Sequence, residues 1–180
     1  MTVNYGVTKY PEVYAKASGR DLPISTKQCI EICKHLKGRK LQKARQILEE
    51  VMEKKRPIPF TRFTTDMGHK KGMAAGRYPN KASSEILKIL KAVEANAQVK
   101  GLSTNDLVIF HMAANKASTP WRYGRKRRVK AKRSHVEIVV TEEKLEGKKE
   151  DKAKMKKSSK QANAHSQKTE SASSAKGGEQ

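Results

Sequence analysis

The chain has 180 residues, enough for one ordinary domain with an appendage and too few for two well-packed ones. Forty Lys and Arg against 18 Asp and Glu give a formal charge of +22, a surplus that strains a compact fold unless polyanions neutralise it, so nucleic acid or an acidic membrane surface is the first partner class to consider. No secretory-type amino-terminal segment occurs, and no apolar run nears the ~18 residues of a membrane span, so a soluble, unexported protein is expected.

In chain order, residues 13–16 read as a short strand. Ser25 and Gln28 have capping-box spacing, and Cys29, Ile32, Cys33 and Leu36 recur at helical intervals until Gly38 supplies a stop, which predicts a first helix. Cys29 and Cys33 are the only cysteines, and their spacing lacks the second ligand pair of a zinc site. They are expected to be core thiols in a reducing compartment. Leu41, Ala44, Ile47, Leu48, Val51 and Met52 form the stripe of a second helix, with Glu49, Glu50 and Glu53 on its solvated side and Pro57 barring continuation. Asn80 after Pro79 is the expected cap of a third, longest helix carrying Ile86, Ile89, Leu90, Val93 and Ala97 and closed by Gly101. Residues 107–112 form a short apolar, β-branched and aromatic run. Val136, Ile138 and Val140 alternate with Glu137, Val139 and Thr141 in the pattern of a strand buried on one face, and the two runs are expected to pair.

The expected fold is α+β, with three helices on a small three-stranded antiparallel sheet, a long basic β-hairpin extension and a disordered C-terminal tail. Residues 1–142 form a single globular domain with a basic insertion over 56–79 and a hairpin arm over 113–135. Residues 143–180 form the tail, where Leu145 and Met155 are the only large aliphatic side chains and aromatics are absent, too little apolar area to offset chain entropy. From Thr141 on the chain holds 10 basic and 7 acidic residues, so residues 1–140 carry 30 against 11. The surplus belongs to the body.

It concentrates in two excursions. From Leu107 to Val136 there is no acid, while Lys116, Arg122, Arg125, Lys126, Arg127, Arg128, Lys130, Lys132 and Arg133 supply nine cations. Two arms of about ten residues at ~3.3 Å each reach about 30 Å. Such a ribbon is marginal alone in water and needs something to lie against. Phosphates accept bidentate bonds from arginine, and Trp121 and Tyr123 offer faces on which bases stack. A solvated charge run or a nuclear-import-like patch is the plainer alternative. The other excursion, "RPIPFTRFTTDMGHKKGMAAGRYPN", spaces Gly68, Gly72 and Gly76 four apart but lacks the Gly-Lys-Ser/Thr ending of a P-loop. Its glycines are expected to let backbone N–H groups approach a phosphate chain, with His69, Lys70, Lys71, Arg77 and Tyr78 adding contacts, or else to form a loop of small residues. His35, His69, His111, His135 and His165 show no metal or nucleophile spacing, so no enzyme, cofactor or metal site is expected.

The stretches "PIPF" at 57–60, "GHKKGMAAGRYPNKAS" at 68–83, "AVEANAQVKGL" at 92–102 and "HVEIVVTE" at 135–142 resemble, in order and spacing, the universal large-subunit ribosomal protein twenty-two family in its archaeal and eukaryotic form. The resemblance covers residues 5–142. It implies three helices on a three-stranded sheet, and a hairpin that runs through large-subunit ribosomal RNA to the wall of the polypeptide exit tunnel. It further implies several RNA domains bridged in assembly, neighbouring large-subunit proteins and the nascent polypeptide as partners, and a cytoplasmic location in the large subunit. The arm cations from Arg122 to Arg133 become the RNA-buried part, and the 57–79 segment matches the insertion of archaeal and eukaryotic members. The arm here is several residues shorter than is usual, and the Arg-Ala-Gly-Arg pattern near the family's tip is missing. A free-standing nucleic-acid-compacting protein of the nucleoid or chromatin kind is the alternative suggested by the charge and the Lys/Ala/Ser tail.

Overall fold

The computed structural model describes residues 5–142; the expected tail lies outside them. The order is β1 (Tyr14–Leu22), α1 (Thr26–Leu36), α2 (Leu41–Met52), β2 (Ile58–Pro59), β3 (His69–Lys70), β4 (Met73–Arg77), α3 (Asn80–Val99), β5 (Leu107–Lys116) and β6 (Ser134–Glu142). β1, β6 and β5 form an antiparallel sheet with β6 in the middle. The expected pairing of the two apolar runs holds, extended to Lys116 opposite Ser134.

A β-bulge between Ile109 and His111 explains why the β5 run reads as continuously apolar. The extra residue, Phe110, shifts the parity, so Ile109 opposes Val140 while Met112 opposes Ile138 and Ala114 opposes Val136. Ile109, Ile138 and Val140 are thereby buried with Ile32 and Leu36 of α1, Ile47 and Leu48 of α2, and Ile86 and Leu90 of α3 in one core. α1 packs on β5, α3 on β1, and α2 against α3, where Arg45 and Glu94 pair at 2.7 Å. Cys29 and Cys33 are buried free thiols in that core. Met52, placed by its spacing in the α2 stripe, is instead 38% exposed as the last residue of the helix, beside fully buried Val51.

The helix stops are as expected. Gly38 follows α1 at φ +76° and donates to Ile109 O at 2.9 Å, and Gly101 follows α3 at φ +73°; both are left-handed positions that favour glycine. The starts differ. Ser25 occupies the N-cap of α1, but its side chain makes no capping bond, so the capping box does not form. The turn is anchored through tertiary contacts, with Thr26 Oγ1 2.8 Å from Ser134 Oγ and Ser134 Oγ donating to Ile24 O at 3.1 Å. Pro79, not Asn80, caps α3, and its carbonyl accepts the first helical bond from Ser83 N at 2.9 Å.

Three further differences concern the strands. The first strand runs over Tyr14–Leu22, beyond the four residues its sequence suggests, and two of its carbonyls accept from side chains at the end of α3. Asn96 Nδ2 donates to Lys16 O at 2.9 Å and Lys100 Nζ to Tyr14 O at 2.8 Å, which covers the first part of this sheet edge. β6 is buried on both faces rather than one. Gly6 N donates to both Glu137 oxygens at 3.1 Å, His111 Nε2 lies 3.2 Å from Glu137 Oε1, and Lys16 Nζ sits within 6 Å of the Tyr5, Tyr10 and Tyr14 rings, so the amino-terminal segment lines the outer face. Finally, there are two sheets, not one. The insertion folds into its own small sheet, β2-β4-β3, and delivers Ile58 and Phe60 into the core.

Candidate nucleic-acid interface

The arm rises from the end of the β5–β6 ladder. Past Lys116 and Ser134 regular pairing stops, and the two sides touch through Ala117 N to Arg133 O (3.2 Å), Ala131 N to Pro120 O (2.8 Å), Arg122 N to Val129 O (3.0 Å) and an isolated bridge between Trp121 and Lys130. A 3-10 turn at Gly124–Lys126 reverses the chain. The arm is therefore an irregular excursion rather than the long regular hairpin expected. Pro120 has no N–H to give, and successive cations on both sides repel any closer register. Trp121, Arg122, Tyr123, Arg125, Lys126, Arg127, Arg128 and Lys130 are all exposed, Tyr123 at 95%. Lys130 Nζ lies 4.6 Å from the Trp121 ring centroid. Lys116 and Lys132, also exposed, flank the root. Arg133 is half-buried and donates through Nη1 to Asp21 O at 2.8 Å, while Asp21 N donates to His135 Nδ1 at 3.1 Å. These bonds and Ser134 fix the direction in which the arm leaves the domain.

The insertion is held from beneath by Glu31, an acid 1% exposed on α1. Its Oε1 accepts from Arg62 N at 2.8 Å, and its Oε2 from Thr61 N at 3.2 Å and Thr61 Oγ1 at 3.3 Å. Lys34 Nζ donates to Thr61 Oγ1 at 2.8 Å. His69 and Lys70 on β3 and Lys71 in the following turn are exposed, and Lys70 Nζ lies 5.7 Å from the ring of half-buried Tyr78. Arg77 ends β4 with its side chain exposed. The three glycines differ in their surroundings, with open space beside Gly68 and Gly72 and packed side chains beside Gly76. Gly72 makes the β3–β4 turn at φ +77°, whereas Gly76 is buried in β4, where an added Cβ would stand 2.8 Å from Met73 Sδ and 3.4 Å from Ile58 O. A larger residue there would have to displace the Met73 and Lys70 side chains.

The two excursions meet at the first turn of α1. A cleft of about 260 Å³ lies between Phe60, Arg62, Phe63 and Arg77 of the insertion, Lys27 and Gln28 of α1, and Lys132 of the arm root. One of about 440 Å³ adjoins Lys81, Arg122, Lys132 and Arg133, and one of about 360 Å³ adjoins Lys27, Lys116, Thr119 and Lys132. Ser25 and Lys132 border all three, and among the described residues no acid lines any of them.

The sequence profile of the family described as Ribosomal protein L22p/L17e matches residues 17–141, most of the chain. The chain belongs to this family. Among the curated members of L22p/L17e to which it is similar is the large ribosomal subunit protein uL22 of Archaeoglobus fulgidus, 45% identical over 125 residues, covering 67% of this chain and 81% of the relative. The uL22 proteins of Methanocaldococcus jannaschii and Methanococcus aeolicus are 41% and 40% identical over 148 residues, covering 78% of this chain and 95% and 97% of the relatives.

Of the sites read from the sequence of this L22p/L17e member, Arg77, Lys116, Arg122, Lys132 and Arg133 are drawn together around the α1 turn. His69, Lys70 and Lys71 border none of these clefts, and the arm tip stands apart from them. Sequence reasoning missed Lys27, Arg62, Phe63 and Lys81, which stand singly in helix starts or beside an aromatic and form no charge run. Glu31 and Ser134 were missed as well. Ser134 is a polar residue at the head of an apolar strand, and that mismatch was an available signal, whereas Glu31 lies beside the apolar stripe of α1 and gave none.

Proposed function

We propose that this protein is a structural constituent of the large ribosomal subunit that binds large-subunit ribosomal RNA and has no chemistry of its own. The observation that carries the reading is the convergence of two cationic segments, the acid-free arm and an insertion whose one acid is Asp66, on one set of clefts in a member of a ribosomal family. Flexible lysines and planar arginines neutralise phosphates, and Trp121 and Tyr123 give the arm stacking faces. One domain, residues 1–142, holds the insertion over 56–79 and the arm over 113–135 in fixed relation. Phosphates from separate RNA helices are clamped side by side, and several RNA domains are bridged in assembly. By family likeness the arm reaches the exit-tunnel wall, with the nascent chain and neighbouring subunit proteins as further partners. The place of work is the cytoplasm, and among the described residues no helix is long and apolar enough to cross a membrane.

Sucrose-gradient fractionation of a host lysate in high salt tests this. The chain is expected to stay with the heavier ribosomal subunit. Release from that subunit together with recovery on bulk DNA would replace the reading with the nucleic-acid-compacting one.

A further inference from the structure

The cleft between the insertion and α1 differs from its neighbours in having aromatic walls. Phe60 is buried beneath it, Phe63 stands half-buried at its side, and Lys27 Nζ and the Arg62 guanidinium carbon lie 5.5 and 5.9 Å from the Phe63 ring centroid. Phosphate recognition needs no such ring. A π-face with two long cationic side chains over it, in a cleft also lined by Ser25, Gln28 and Thr65, suits a planar heterocycle that those chains can cover and whose edge carries donors and acceptors. At about 260 Å³ the space falls below that of drug-sized ligand sites, which start near 300 Å³. The adjoining clefts prolong a cationic track on either side of Lys132, as a polymer of phosphates requires and a free nucleotide does not.

We propose that this cleft takes a single unstacked nucleotide of ribosomal RNA, its base lying on the Phe63 ring and its phosphate held by Arg77 and Lys132. The proposal rests on the reading of the protein as an RNA binder and adds to it a specific site. Glu31 acts as the positioning residue, because its carboxylate fixes the Thr61 and Arg62 backbone from which Phe63 projects. An RNA strand running along the Lys132 track is thereby anchored at one base, which gives the domain a register that charge alone cannot supply.

The test uses the full chain and large-subunit ribosomal RNA purified from host ribosomes, with filter binding and ultraviolet cross-linking read by mass spectrometry. Phe63→Leu keeps an apolar group but removes the π-face, and is expected to weaken binding about tenfold with the salt slope unchanged; Phe63→Tyr stays within about twofold. One nucleotide is expected cross-linked to Phe63. Arg77→Gln, at an exposed side chain whose loss leaves the core intact, is expected to weaken binding severalfold even if the Phe63→Leu chain folds poorly. Wild-type affinity in both Phe63→Leu and Arg77→Gln, with cross-links confined to the arm, would overturn the nucleotide site and leave the RNA-binding reading standing. Failure of the wild-type chain to retain ribosomal RNA at all would overturn both.

Discussion

Glu31 bears the largest single-residue consequence in the insertion. Two backbone N–H groups and one hydroxyl converge on its buried carboxylate, and alanine would leave those donors without an acceptor inside the fold. Glu31→Ala is expected to lower the unfolding free energy by about 3 kcal/mol in chemical denaturation, and Glu31→Gln by about half that, since an amide accepts on one side only. Both changes make the chain more positive, so charge counting predicts tighter RNA binding and loss of positioning predicts weaker; weaker is expected. The thiols behave oppositely, as inert fillers. Burial pushes Cys29 from 9.0 up to about 12 and raises Cys33 as well, with Cys29 beside it adding to the effect. At pH 8 the Cys29 thiolate is about a thousandfold rarer than in an exposed thiol, so alkylation is expected only after denaturation, as mass spectrometry can show. Burial of the thiol therefore costs stability only in alkali. The unfolded chain ionises near pH 9 while the folded one holds its protons, so this contribution is intact below pH 9 and is lost as pH rises toward 12. The thiols were legible in the sequence because helical spacing placed them among aliphatics. Glu31 was not, since an acid one position from the apolar stripe reads as solvated until the loop that needs it is in place.

At the level of elements, the arm and its root differ in how their backbone bonds are used. The β5–β6 ladder pairs every residue from Lys116 and Ser134 inward apart from the Phe110 bulge, whereas residues 118–131 share two cross-arm backbone bonds and an isolated bridge, with most side chains exposed. Amide exchange in the free protein is therefore expected within seconds across residues 118–130, and slowed by several orders of magnitude at Ile138 and Val139 in the central strand. Strong protection throughout the arm would show that it is rigid before any RNA arrives. The same contrast explains which elements the sequence announced. α1, α2 and α3 carry period-3.6 stripes long enough to average over exceptions such as Met52, and β6 carries an alternation that only one register satisfies. β2, β3 and β4 are two to five residues long and contain Pro59 and Gly76, so no period can be read in them. Their pairing is imposed by Ile58 and Phe60 reaching the core and by Glu31 holding the turn that follows.

For the whole molecule, the charge was legible and its arrangement was not. Counting gives a body carrying 30 basic and 11 acidic residues over positions 1–140, but nothing in a linear count brings Arg77 and Lys132, 55 positions apart, to the same cleft. Long-range β pairing does that, by returning the arm to a sheet that shares α1 with the insertion. Binding is then expected to be dominated by counterion release, with affinity falling steeply as salt rises. Replacing Arg122, Arg125, Lys126, Arg127, Arg128, Lys130, Lys132 and Arg133 by glutamine removes up to eight phosphate contacts, and at roughly 0.7 to 0.9 of slope per contact the log–log salt dependence is expected to flatten by about six. Replacing Lys70, Lys71 and Arg77 alone is expected to flatten it by about two. Because seven of the eight arm cations are exposed and like charges repel, the glutamine variant is expected to melt no lower than the wild type apart from the loss of the Arg133 bond to Asp21 O, so weak binding by it cannot be put down to unfolding. A salt slope that survives removal of all eight would move the main contact from the arm to the insertion and the α1 clefts, where Lys27, Arg62 and Lys81 remain.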